Sequence, residues 1–184
     1  MDSKKNLNSD NQIISAVDSA GNFIRYISKE DGHTGEGIHH LAITVFIFNS
    51  KGELLLQKRK HKVFDNFWDN TASTHQLHLE NGHDESDKEA TLRTLKREYG
   101  IENVELENLG GFNYFEKIGG LCENEFCKLL IGIYDGEVNL NPEVGYSYKW
   151  ISKKDFMREL EEIPGEYTPW CKAAVKILHD KGIL

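Results

Sequence analysis

Apolar residues recur along this chain in two rhythms, one suited to strands and one to helices. Gln12 to Val17 and Phe23 to Ile27 flank the turn-forming stretch Asp18-Ser19-Ala20-Gly21-Asn22 and predict a β-hairpin. His40 to Phe48 and Glu53 to Arg59 predict a second strand pair around Asn49-Ser50-Lys51-Gly52, and Trp68 to Ser73 a short strand. From Glu85 to Tyr99 the period changes to that of a helix. Leu92, Leu95 and Tyr99 share one face, Ala90 extends it and Gly100 ends it. Asp84, Glu85 and Asp87 near its start complement the helix dipole. Strands follow over Val104 to Phe115, Glu123 to Tyr134 and Tyr146 to Ile151. A helix over Lys153 to Glu162 and a last one from Pro169 to about His179 close the chain. Strands before and between helices, in mixed order, predict α+β or a layered α/β sandwich.

Size adds that one domain is expected over residues 1–184, with residues 1–10 polar and disordered. Hydrophobic residues make up 39% and charged residues 28%, the balance of a folded globular protein. The longest apolar run, Leu41 to Phe48, is far too short to span a bilayer, so no membrane partner is expected. No apolar stretch follows Lys4 and Lys5, so no signal peptide is read at the N-terminus. Cys122, Cys127 and Cys171, with no CxxC pair, argue against a disulfide scaffold and suit a cytoplasmic setting. A net charge of −8 argues against nucleic acid as partner. It leaves room for a small anion, which answers to a local cluster of cations. A monomer or weak homodimer is expected.

Three features carry candidate chemistry. In a strand, Glu123 and Glu125 point to one side, and two acids there need a cation or donors to satisfy them. A salt-bridged strand end fits the same pair. Eight histidines are scattered along the chain, and those at 61, 78, 83 and 179 read as surface or core residues. His39 and His40 are adjacent, so on a strand only one of them joins a given site. Imidazole with carboxylate suits a divalent ion, but spacing alone does not choose the set. The third feature is Arg93-Thr94-Leu95-Lys96-Arg97-Glu98-Tyr99-Gly100-Ile101, a degenerate copy of the Nudix signature. That signature places glutamates where Thr94 and Arg97 stand here. A hydrolase needs such a cluster to hold its metals, and this helix keeps Glu98 alone of the three. An amphipathic helix with solvated charges fits the periodicity equally.

Together these pieces resemble the type 1 isopentenyl-diphosphate delta-isomerases, from about Ile27 to about Leu178. The matching elements are His33-Thr34-x5-His40-Leu41-Ala42, Phe48-Asn49-x-Lys51-Gly52, Leu54-Leu55-x3-Arg59, Trp68-x-Asn70, His75, Arg93-x4-Glu98-x-Gly100, Glu123-Asn124-Glu125 and Thr168-Pro169-Trp170. Each is weak alone; their order and spacing are specific. The resemblance implies a Nudix fold, a mixed β-sheet sandwiched between helices (α/β/α), with its core at about 38–165. It implies a divalent metal, Mg or Mn with Zn as an option, held by His33, His40, His75, Glu123 and Glu125. It also implies a second Mg that joins Glu98 to the diphosphate of a small-molecule substrate. Lys29, Arg59 and, in a shorter loop, Lys62 match diphosphate-binding residues. A fourth basic position falls on Thr94, and Arg93 or Arg97 would have to compensate.

The implied reaction moves a double bond. An acid protonates isopentenyl diphosphate to a tertiary cation, and a base removes a neighbouring proton to give dimethylallyl diphosphate. Trp170 matches the family's aromatic wall, which stabilises the cation through its π-faces, and Trp68 and Tyr114 stand where further aromatics are expected. Glu125 matches one proton-transfer group. The other is a cysteine in the family, and its position here is Ser73, followed by Thr74 and Gln76 in place of glycine and proline. A thiol titrates near pKa ~8.5 and an aliphatic hydroxyl many units higher, so Ser73 cannot act as a thiolate base. It can position a water or relay a proton from Tyr114 or Glu125. The resemblance therefore implies a slow isomerase. Alternatives are a Nudix pyrophosphohydrolase acting on a small diphosphate and a non-catalytic diphosphate binder.

Overall fold

The computed structural model describes residues 12–184; the disorder expected for 1–10 lies outside them. The first hairpin is β1 (Ile13–Val17) with β2 (Phe23–Ser28), antiparallel. A five-residue helix, α1 (Lys29–His33), follows with Ser28 as its N-cap. It was not anticipated, because one helical turn is too short to show a period.

The centre of the sheet is β3 (His40–Phe48), buried at every position. Such a strand takes apolar residues throughout because both its faces are covered. Its long partner is β8 (Leu121–Ile133), which runs parallel to it with His40 beside Glu125 and Phe48 beside Ile133. On its other side lie β6 (Ala72–Thr74), antiparallel, and single pairings with β1 and β4 (Leu54–Arg59). The second hairpin expected from the sequence is thus only a turn. After Phe48–Leu54 the strands part, and β4 pairs instead with β5 (Trp68–Asp69) and β9 (Gly145–Ile151). The expected strand over 68–73 is split between β5 and β6, which lie on different neighbours. The antiparallel partner of β8 is β7 (Leu106–Ile118).

Alternation along β3 divides the core in two. Ile43, Val45 and Ile47 pack with Ala90, Leu95 and Tyr99 of α2 (Asp87–Tyr99). Phe46 and Phe48 face the other way, onto Phe156 of α3 (Lys153–Glu162) and Cys171, Ala174 and Leu178 of α4 (Pro169–Asp180). Helices thus cover both faces of a mixed sheet, as an α/β/α arrangement requires. The N-terminus of α2 is a capping box: Ser86 accepts from the Glu89 amide and the Glu89 side chain accepts from Ser86. Glu85, expected to lie inside the helix, stands before this cap. Its carboxylate grips Arg93 through Nε and Nη2, each at 2.7 Å. At the other end Gly100 adopts φ 72°, a left-handed C-cap that glycine takes without strain. No helix of the described residues is long and apolar enough to cross a membrane.

Candidate metal centre and active-site cavity

Register in the central strands assembles the site. The β3–β8 pairing sets His40 beside Glu125, and β6, paired to β3 through Thr44–Ser73, delivers His75 just beyond its end. The C-terminus of α1 supplies His33. Four ligand atoms, Nε2 of each histidine and one Glu125 oxygen, lie within 4.8 Å of one another. From Glu125 Oε1 the distances are 3.1 Å to His75, 3.4 Å to His40 and 3.8 Å to His33. His40 Nε2 and His75 Nε2 are 3.2 Å apart. Ligands about 2.1 Å from one ion stand roughly 3 to 4 Å from each other, so this set fits a divalent metal.

The orientation of the rings supports the same reading. His33 Nδ1 and His40 Nδ1 each lie 2.7 Å from a backbone carbonyl, of Lys29 and Ile38 respectively. A carbonyl only accepts, so each Nδ1 carries the proton and each Nε2 keeps its lone pair for the site. The backbone of His75 is held by Arg93, whose Nη2 donates to the His75 carbonyl at 2.9 Å. Burial pushes the His75 imidazolium down to about 3 against the pull of Glu125, which leaves a neutral ring. At His33 burial acts the same way, but Glu123 and Glu125 outweigh it and the net shift is upward.

The two glutamates separate in character. Burial works against ionisation of Glu125, yet the His40 and His75 rings beside it outweigh burial and hold it well below the usual carboxylate range. Glu123 is raised by burial and by the neighbouring Glu125 charge. Its Oε2 lies 3.4 Å from His33 Nε2, beside the group of four and not within it. Cys127 sits behind Glu125, its Sγ 3.2 Å from Oε2, as the packed residue its sequence context indicated. Tyr114 faces Glu125 across the β7–β8 ladder, and burial with the Glu125 charge holds its phenol well above its ordinary range.

A cavity of about 530 Å³ opens over this group, lined by His33, His75, Glu123, Glu125, Ser73 and Tyr114. Ser73 is anchored to Asn70, with Oγ 3.3 Å from Nδ2 and 3.5 Å from Oδ1. Trp170 closes one side, packed edge-on by Phe64 at 5.2 Å and tilted against Tyr114 at 6.1 Å. The expectation for Trp68 is corrected. It does not line the cavity but packs on the core beneath α3 and α4, with Lys149 Nζ 4.1 Å from its ring. A tryptophan between Phe67 and Asp69 stands in no sustained alternation that would say which face it takes.

Cations share the lining of the same cavity. Lys29, Arg59 and Lys62 line the cavity as expected of them, joined by Arg97. Arg59 pairs with buried Asp69 at 2.6 Å and lies 4.9 Å over the Trp170 ring, and its Nε is buried with no hydrogen-bond partner. Thr94 is buried and does not line the cavity, and Arg93 is engaged by Glu85, so Arg97 is the helix cation that reaches it. Sequence reasoning missed His61, exposed at the rim. Partial desolvation where the ring meets the cavity, then the charges of Arg59, Lys29, Arg97 and Lys62, push it down to about 4. The basic run Arg59-Lys60-His61-Lys62 was the signal that could have found it.

The NUDIX domain profile matches residues 38–171. The chain is a member of the Nudix family. Over 91% of each chain it is 31% identical to the isopentenyl-diphosphate delta-isomerase of Serratia proteamaculans. Isopentenyl-diphosphate delta-isomerase 2 of Aromatoleum aromaticum is also 31% identical, over 86% of this chain and 82% of the relative. Within the Nudix family, therefore, the chain belongs with the isopentenyl-diphosphate delta-isomerases. A solved Deinococcus radiodurans protein shares the fold, with TM-score 0.66 at 16% identity over 90% of this chain and 99% of that one.

Proposed function

We propose that this chain interconverts isopentenyl diphosphate and dimethylallyl diphosphate. The observation that carries the reading is the convergence of His33, His40, His75 and Glu125 at a cavity that Lys29, Arg59, Lys62 and Arg97 also line. A five-carbon diphosphate has the matching shape, an anionic tail and a short apolar head. Lys29, Arg59 and Lys62 bind the tail. Trp170 and Tyr114 flank the head, where their π-faces stabilise a tertiary cation by up to ~2 kcal/mol or more when water is excluded.

A divalent ion in the His33–His40–His75–Glu125 set, Mg or Mn with Zn as an option, would supply fixed positive charge next to Glu125. Glu125 exchanges the proton on one face of the substrate, helped by Tyr114. On the other, Ser73, held by Asn70, orients a water that carries the proton. A hydroxyl in place of a thiol makes this step slow and leaves binding intact. The three described cysteines are free and buried, in keeping with a reducing cytoplasm.

Incubation of isopentenyl diphosphate in heavy water with Mg or Mn tests the reading. Deuterium entering the substrate and dimethylallyl product, seen by proton NMR, are expected. Metal-loaded protein that gives neither after prolonged incubation would refute it. Phosphate release instead would point to a hydrolase, which the pairing of Glu98 with Arg97 at 2.5 Å disfavours.

A further inference from the structure

The second magnesium expected at Glu98 meets a carboxylate already engaged at both oxygens. Arg97 Nη2 lies 2.5 Å from Oε1, and Gln57 Nε2 donates to Oε2 at 3.2 Å. Gln57 is itself fixed by Tyr99 Oη at 3.0 Å, and Glu98 is buried. A metal bound there would have to displace a guanidinium from a buried carboxylate and then share the space with it, charge against charge. Arg97 meanwhile lines the cavity with Lys29, Arg59 and Lys62, and His61 stands among the same four cations. A guanidinium has five donors, so one can serve Glu98 while others serve a phosphate.

We propose that Arg97 takes the place of the second metal, so that the chain binds its diphosphate ligand in a cradle of Lys29, Arg59, His61, Lys62 and Arg97 with one divalent ion per chain. The inference rests on the isomerase reading only for the identity of the ligand; the cradle serves any small diphosphate. Glu98 then positions Arg97 and does not ligate.

Native mass spectrometry of the manganese-loaded protein with isopentenyl diphosphate counts the ions. At most one manganese per bound ligand is expected, and two per bound ligand would overturn the inference. Calorimetry with inorganic pyrophosphate on Arg97→Gln is expected to show affinity about tenfold to a hundredfold weaker, the loss of one charge-assisted hydrogen bond. A change below twofold in a variant whose thermal melt is normal would overturn it as well. Should that variant not fold, the ion count on the unaltered chain decides. A protein that binds pyrophosphate with one ion yet never isomerises the five-carbon substrate would sink the isomerase reading and leave the cradle standing.

Discussion

At the scale of single residues, Ser73 and His61 both line the cavity. Ser73 keeps the position but not the acidity of a thiol, and a positioned acid–base group is worth about 10²–10⁴ in rate. Ser73→Cys should therefore raise kcat by about tenfold or more with KM little changed; an unchanged or lower kcat would show that the proton path runs elsewhere. Partial desolvation at the cavity rim and four neighbouring cations push the His61 imidazolium down to about 4. A bound diphosphate brings negative charge to the same place and must shift the titration upward. Histidine NMR titrations with and without pyrophosphate check this, and an unmoved His61 would put the anion somewhere else. Residue chemistry of this kind was unevenly legible in the sequence. Of the five ligands expected from the order of the family's motifs, His33, His40, His75 and Glu125 come together and Glu123 lies beside them, whereas a lone histidine between two lysines has no pattern to set it apart from a surface residue.

Elements were legible where a period or a cap spoke for them. Helix α2 announced itself by its apolar face and by Gly100, and β3 by the run from Leu41 to Phe48, apolar but for Thr44. Pairing was less legible, because alternation in a strand says which face a residue takes and nothing about which strand lies beside it. The β3–β4 turn accordingly looked like a hairpin, while the main partner of β3 lies some eighty residues further on, at β8. The beginning of α2 offers a test of local chemistry. Ser86→Ala removes the side-chain half of the capping box, leaving the backbone amide that donates to Glu89, and should cost about 1 kcal/mol in urea unfolding, without loss of metal. A loss near zero would show that packing of Leu95 and Tyr99 alone fixes where the helix begins.

For the whole molecule, the metal set ties three separate parts of the chain to one point. An ion that binds only the folded state stabilises it by an amount set by its concentration relative to Kd, about 4 kcal/mol at a thousandfold excess. Chelation should lower the melting temperature by several degrees, and restoring a divalent ion should recover it. The pH response has a definite sign. In the metal-free protein His75 and His61 resist protons that the unfolded chain accepts near 6.5, so stability falls as pH drops from about 6.5 towards 4. His33, with its raised value, acts oppositely, adding stability at low pH that is lost as pH rises through its folded-state value. Melting curves across that interval, with and without metal, measure the balance; a metal-free protein that gains stability on acidification would show that His33 dominates.

The parallel register that seats His40 against Glu125 has one more outcome. Those two side chains belong to strands that no tight turn can join, so they become neighbours only late, once the middle of the sheet has closed over a long intervening loop. A divalent ion held by this set would therefore find its full complement of ligands only in a chain whose central sheet is closed, so its affinity would report on completion of the fold.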